Sequence, residues 1–295
     1  MTLDKEPESL RTIKHLVVDM DGVLYRGTEP IPGTSAFLDF LRQERIGFVL
    51  ATNNATRTPQ QFVEKLAGMG VRVEAHEILT SAQATASHLA GIAPSGARVF
   101  VVGQTGLRMA LQEAGFQLVE ERADFVVAGM DFEICYPRLA DAALQIRAGA
   151  RFIGTNPDRT FPSERGILPG AGSLLAFLEA ASGAKPTIIG KPEKAMMEQA
   201  LARLGARPST APAVPSTAAV PSTTAVSSTA AVSPTAAVLG DRLETDILAG
   251  QRAGMTTLLV LTGVTTRQML EESEIQPDLV FDDVAHLHAA WKEAL

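Results

Sequence analysis

Ile13-Lys14-His15-Leu16-Val17-Val18-Asp19-Met20-Asp21-Gly22-Val23 runs a short apolar stretch straight into two carboxylates and a glycine. An apolar run that stops abruptly in polar residues predicts a strand over Ile13–Asp19, buried on both faces, with Asp19 at its C-terminal end. Strands of that kind belong to parallel sheets, because crossover helices cover both faces. The next residues agree. Ser35–Arg45 predicts a helix with Phe37, Leu38, Phe40 and Leu41 on one side, Gly47–Ala51 a second buried strand ending at Thr52-Asn53-Asn54, and Thr58-Pro59 the start of another helix. Strand, helix, strand, helix is the pattern of right-handed parallel crossovers.

Further along, the pattern restarts. Ala97–Val102 predicts a strand, with Gly103-Gln104-Thr105-Gly106 leading into a helix that runs to Ala114. Phe125–Ala128 and Arg151–Gly154 predict strands on either side of a helix from about Tyr136 to Ala148. Thr187–Ile189, Val238-Leu239, Thr257–Leu261 and Leu279–Phe281 complete the set. So many alternating units exceed one average sheet, and two α/β domains are expected.

Four polar groups fall at predicted strand ends, the edge where open α/β sheets bind ligands. Asp19 and Asp21 are placed to share one site. Asp19 could attack phosphorus, and Asp21 could protonate the leaving oxygen and later deprotonate water. Gly22 allows a tight turn that aims main-chain N–H groups at phosphate oxygens. Alone, this acidic pair could equally be a metal site or a turn. Thr52 and Asn53 could hold a phosphate oxygen, although Thr and Asn at strand ends are commonly turn formers. Lys191, in Gly190-Lys191-Pro192, could neutralise phosphate and the charge that builds up in the transition state, where a solvated lysine is the plainer reading. Asp241, in Gly240-Asp241-Arg242-Leu243-Glu244-Thr245-Asp246, could join Asp19 as a hard oxygen ligand for Mg²⁺. Asp246, about one helical turn on, could hold the metal's waters or orient Lys191. A helix start with acidic residues at its positive end is the alternative.

In order and spacing, these four stretches resemble the four motifs of the haloacid dehalogenase (HAD) superfamily, and the chain is similar to its class IIA phosphatases from about Lys14 to Leu295. The resemblance implies a Rossmann-like parallel-sheet core carrying an inserted α/β cap. The core is expected at 11–80 and 186–295, and the cap at 81–185. Asp19 then matches the nucleophile and Asp21 the acid/base. Thr52 and Lys191 match the phosphate-binding pair. Asp241, the Asp19 carboxylate and the Asp21 carbonyl match the Mg²⁺ shell, and Asp246 the second acid of the fourth motif. Within the cap, Asn156 and Asp158 of Gly154-Thr155-Asn156-Pro157-Asp158 are candidate substrate contacts, with an Asn-Pro-Asp turn as the alternative. The activity implied is Mg²⁺-dependent hydrolysis of small phosphate monoesters through an aspartyl-phosphate. The resemblance admits a homodimer joined through its caps. Three rivals stay open: a phosphoacceptor module, a dehalogenase that attacks carbon, and a non-catalytic protein with this fold.

Composition narrows the partners. The net charge is −7, from 26 Lys plus Arg against 33 Asp plus Glu, which gives no electrostatic footprint for nucleic acid or an anionic membrane. A single cysteine, Cys135, excludes an internal disulfide and a thiolate metal site. No apolar run approaches the roughly 20 residues that span a bilayer. Met1–Lys14 has no apolar signal-like segment, so a cytoplasmic protein is expected. The five histidines show no ligand spacing; His286 and His288, at i and i+2 on a predicted helix, point to different faces.

One segment breaks the pattern. Valines at 214, 220, 226, 232 and 238 recur every six residues in the tract 208–237, which contains no charge and no aromatic residue. Prolines at 212, 215, 221 and 234 break helix and central strand alike. The composition predicts a disordered or polyproline-like loop within the core, a stacked six-residue repeat being the alternative. Loop-closure entropy grows slowly with length, so an active core around it is expected.

Overall fold

The computed structural model describes residues 7–163, 165–206 and 235–295. Most of the repeat tract, 208–234, lies outside the described residues. The first sheet has six parallel strands in the order Leu279–Phe281, Thr256–Val260, Ala236–Gly240, His15–Val18, Gly47–Thr52 and Ile78–Thr80. Its central strands are mostly apolar and, past the first residues His15 and Gly47, buried, as a sheet covered on both faces requires. Ala236 and Ala237, where the last copy of the repeat tract merges into the next strand, are that strand's first residues, and both pair with the His15–Val18 strand and bury fully.

From His15–Val18 the chain steps one way to Gly47–Thr52 and Ile78–Thr80. It later returns on the other side to Ala236–Gly240, Thr256–Val260 and Leu279–Phe281. The reversal falls beside the first strand, and a crevice opens at the carboxyl ends where strand order reverses. Asp19, Thr52 and Asp241 each sit at or just past the end of one of the three strands that meet there. Proximity follows from register: Val18 lies between Leu239 and Leu50.

A second, inserted sheet has five parallel strands in the order Thr187–Ile188, Arg151–Gly154, Phe125–Ala128, Arg98–Val102 and Gln117–Leu118. An antiparallel hairpin, Thr160–Ser163 with Gly166–Pro169, projects beside it. Thr187–Ile188 hydrogen-bonds to the Arg151–Gly154 strand of this sheet, whereas the sequence boundary assigned residues from 186 to the first unit.

Local chemistry sets the helix starts. Thr58 caps Pro59–Gly68 and Thr80 caps Ser81–Ile92. In each, the threonine hydroxyl accepts from the third residue on, and that residue's glutamine side chain accepts from the threonine N–H. One apolar cluster joins the two sheets, drawing Val17 and Val49 from the first and Val99, Leu107 and Ile153 from the inserted unit. At Gly106 the backbones touch: its N–H donates to Thr56 O at 3.0 Å, and a Cβ there would lie 2.5 Å from Arg57 O. On the far face, Trp291 packs its ring 6.4 Å from Phe37 and 6.1 Å from Phe40. His288 stacks 4.6 Å from Phe40 and so belongs to packing. Among the described residues no helix is long and apolar enough to cross a membrane.

Phe37 is fully buried, so Phe37→Ala leaves a cavity against Trp291 and should cost about 3–5 kcal/mol. Urea unfolding followed by the fluorescence of Trp291, the chain's one tryptophan, measures it. A loss under about 1 kcal/mol would show that this face collapses around the gap.

Candidate active site

Lys191 is the centre of the site. Its ammonium is buried and donates to Asp19 Oδ1, to Asp246 Oδ1 at 2.6 Å and to the Ala51 carbonyl at 3.0 Å. Three donors meet three acceptors, so the ammonium is fully satisfied. Burial pulls its pKa down, but Asp19 and Asp246 outweigh that and the net direction is up. Asp241 lies on the neighbouring strand end, where Val264 N–H donates to its Oδ2 at 2.7 Å. One ligand oxygen from each of Asp19, Asp241 and Asp246 lies within 4.8 Å of the others.

This cluster sets three carboxylates against one ammonium, leaving two negative charges uncompensated. Burial raises the Asp19 pKa well above the usual carboxylate range; Lys191 opposes this, and Asp246 and Asp241 add to it. Burial, with Asp246, pushes Asp241 up to about 7 against the pull of the Val264 N–H. Hard oxygen donors with a surplus of two negative charges suit one divalent cation such as Mg²⁺. The residues present therefore fit the metal.

Glycines make the crowding possible. Gly22 has φ +85°, and a Cβ on it would lie 2.6 Å from Asp241 Oδ2. Gly263 faces the same carboxylate, and a side chain there would overlap it. Asp246 reaches Lys191 from a π-helical turn, Leu243–Ile247, in which Arg242 O accepts from both Asp246 N and Ile247 N.

Asp21 opens on the cavity rather than into the cluster. The protein around it still raises its pKa, with Lys65 and then Arg242 pulling the other way. A carboxyl shifted upward can hold a proton that an ordinary aspartate releases. The Thr52 hydroxyl accepts from Asn54 N–H at 3.1 Å, which leaves its own proton to donate elsewhere.

Asn53 departs from the expected phosphate role. Its side-chain amide donates to the Asp158 carboxylate at 3.1 and 3.3 Å and to Lys191 O at 2.9 Å. Its main-chain carbonyl accepts from Asn156 Nδ2 at 2.8 Å and Ser81 Oγ at 2.5 Å. Both amide hydrogens are thus spent, one on Asp158 of the inserted unit and one on Lys191 O of the first. Asn156 also accepts from Asp158 N–H at 3.1 Å, the geometry of an Asn-Pro-Asp turn. Burial raises the Asp158 pKa, while the Asn53 bond lowers it.

All ten candidate residues (Asp19, Asp21, Gly22, Thr52, Asn53, Asn156, Asp158, Lys191, Asp241 and Asp246) line one cavity of 630 Å³. Sequence reasoning missed Gly263 and Val264, which sit just past the Thr256–Val260 strand. Leu261-Thr262-Gly263 at a fifth strand end was the available signal.

Residues 16–117 match the family model for haloacid dehalogenase-like hydrolases, and residues 188–287 match a second, HAD-hydrolase-like model. The chain is 39% identical to the 5'-nucleotidase YutF of Bacillus subtilis (strain 168) over 275 residues, 93% of this chain and 97% of that one. Its fold superposes on the 4-nitrophenylphosphatase of Thermotoga maritima with a TM-score of 0.83 at 34% identity, covering 95% and 98% of the two chains. A glycerol phosphate phosphatase of Mycobacterium tuberculosis, crystallised in complex with magnesium, superposes with a TM-score of 0.82 at 34% identity, covering 96% of this chain and 79% of the other. Likeness of this extent, over both sheets and all four motif-bearing strand ends, places the chain in the haloacid dehalogenase-like hydrolases.

Proposed function

We propose that the chain hydrolyses small phosphate monoesters, with Asp19 as nucleophile and Mg²⁺ as cofactor. The observation that carries this is the buried Lys191 bridge, which fixes the Asp19 carboxylate at a strand end in the cavity that Asp21 also faces. An Asp19 oxygen attacks phosphorus, and the bond from phosphorus to the ester oxygen breaks. Asp21 delivers its proton to that oxygen, so the alcohol leaves neutral. The aspartyl-phosphate then meets water. Asp21, now ionised, takes a proton from it, hydroxide oxygen bonds to phosphorus, and the Asp19–phosphorus bond breaks to release inorganic phosphate. Lys191 and the Thr52 hydroxyl hold phosphoryl oxygens through both steps. Asp19, Asp241 and the Asp21 carbonyl would hold Mg²⁺, which when bound neutralises the phosphate and polarises phosphorus. Asp246 keeps Lys191 in place.

The three rival readings fare differently. The relatives named above are phosphatases, which places the phosphatase reading ahead of the dehalogenase one. A phosphoacceptor would preserve its phosphoryl group, and Asp21 on the cavity works against that. No candidate catalytic position is missing, against a non-catalytic role.

Release of 4-nitrophenol from 4-nitrophenyl phosphate should depend on Mg²⁺, stop in EDTA, and fall roughly a thousandfold or more in Asp19→Asn. Undiminished turnover in that variant would exclude Asp19 as nucleophile.

A pH effect follows from Asp241. Its folded pKa, about 7, lies above the ordinary 3.8, so the folded state holds that proton more tightly. Above the ordinary value the ionised folded form is penalised, and metal-free stability falls as pH rises towards 7. A metal needs the ionised form, so the proton competes with Mg²⁺ below about 7. Thermal melts should show a larger gain from Mg²⁺ over EDTA at pH 8 than at pH 5.5. Equal gains would remove Asp241 from the metal set.

Asp158→Ala should free Asn53 and loosen the inserted unit. A hydrogen bond to a charged group contributes about 1.5–3 kcal/mol, so kcat/KM should drop roughly tenfold or more, with faster amide exchange at 153–158. Unchanged exchange would show that the apolar cluster alone holds the units together.

A further inference from the structure

On the phosphatase reading above, the cavity has a direction. Phosphorus must sit against Asp19 on the first-sheet side, so the alcohol extends towards the inserted unit. What that unit offers is distinct in chemistry. Apart from Asn156 and Asp158, which are engaged with each other and with Asn53, its lining includes Met130, Phe132, Thr160, Phe161 and Ser163. Among the described residues this wall carries no lysine or arginine. The cations of the cavity, Arg26, Arg57, Lys65 and Arg242, all come from the first-sheet side, together with Lys191. Of these, Arg26 donates to Thr262 O, and Lys65 lies 3.7 Å over the Tyr25 ring.

The two phenylalanines come from separate segments. Phe132 follows the Phe125–Ala128 strand, and Phe161 lies on the Thr160–Ser163 hairpin strand. Their ring centroids are 6.0 Å apart at 64°, an edge-to-face pair. Such a pair holds the two rings against each other at an edge-to-face angle. Phe132 remains 59% exposed, an unusual state for a large apolar side chain on a cavity wall. An exposed aromatic side chain lining the same cavity as the phosphate-binding candidates favours a flat ring, which would cover it and gain quadrupole-matched contact.

We propose that Phe132 and Phe161 form a stacking platform for a planar aromatic ring of the leaving group. The substrates are then phosphate monoesters of ring-bearing alcohols, nucleosides or phenols, in preference to simple sugars and glycerol. Among the described residues, no cation on the inserted wall awaits a second phosphate or carboxylate.

The test compares uridine 5′-monophosphate with ribose 5-phosphate, which share the sugar and differ by the base. In the Mg²⁺-loaded wild type, kcat/KM should favour the nucleotide on the order of tenfold or more. Phe132→Ala should bring the ratio near one, and Phe132→Tyr should keep it. Phe132 is largely solvent-exposed, so neither change opens a core cavity. A parallel arm uses 4-nitrophenyl phosphate, whose ring sits on the ester oxygen itself. A loss for the nucleotide without a loss for it places the platform one sugar beyond that oxygen, and a loss for both places the platform within reach of either ring; either supports the proposal. A wild-type ratio near one would overturn it. So would a ratio unmoved in both Phe132→Ala and Phe161→Ala, or phosphoglycolate outrunning the ring-bearing esters through the first-sheet cations. Absence of phosphate release from every ester would instead sink the phosphatase reading itself.

Discussion

A single buried ammonium organises this molecule. Lys191 holds Asp19, Asp246 and the Ala51 carbonyl together where three strands end. Taking such an ion from water costs several kcal/mol, and its partners repay this only when every donor is used. Here every donor is used, but two carboxylates share one ammonium and a third stands beside them. The arrangement therefore satisfies the lysine and leaves the acids over-supplied with charge. Burial, reinforced by that crowding of acids, raises Asp19 and Asp241, while the carboxylates of Asp19 and Asp246 raise Lys191. It is also an arrangement that a divalent cation would suit. The site would then give up stability in the metal-free state and recover it on binding.

The inserted unit is coupled to that centre by two different means. An apolar cluster runs from Val17 and Val49 to Val99 and Leu107, and it resists separation without regard to direction. Asn53 adds direction. Its amide reads Asp158 on the inserted unit and Lys191 O on the first, so the two loops are fixed by one planar group. Asn156 returns a bond to the Asn53 carbonyl. A shift of the inserted loop would thus be felt at Lys191, whose ammonium holds the Asp19 carboxylate. The positions of the inserted loop and of Lys191 are coupled through Asn53.

Much of this was legible in the sequence, for physical reasons. Buried parallel strands announce themselves by unbroken apolar runs, and Leu16-Val17-Val18 and Phe48-Val49-Leu50-Ala51 are such runs. Polar residues that end them mark the binding edge, which is why Asp19, Thr52 and Asp241 could be placed before any coordinates. Three-residue Ile78–Thr80 and the Thr160–Ser163 hairpin were too short to show a period. Asn53 was read as a phosphate ligand because type and position fit that role; only the approach of residue 158, over a hundred positions away, reveals the other use of its amide. The Asp241–Val264 bond and the Ala51 carbonyl are main-chain contacts, which residue identity does not encode.

The connector between Lys191 and Asp241 bears on the same point. Lys191 and Asp241 must keep their spacing, yet the tract 208–234 enters the chain between them. Both flanks are independently seated. On one side Arg203 donates to Ile78 O at 2.8 Å, and Leu204 and Ala206 pack on the shared cluster. On the other, Lys14 N–H and His15 N–H both donate to Thr235 O, one residue before the Ala236–Gly240 strand starts. The strand register, Val17 against Val238 and Val18 against Leu239, then sets where Asp241 emerges. Geometry at the site is determined by contacts at residues 203–206 and 235–240, and the number of residues linking them enters only through closure entropy, about 0.6 kcal/mol per doubling of length. The contacts that position Lys191 and Asp241 are therefore made by the flanks at 203–206 and 235–240.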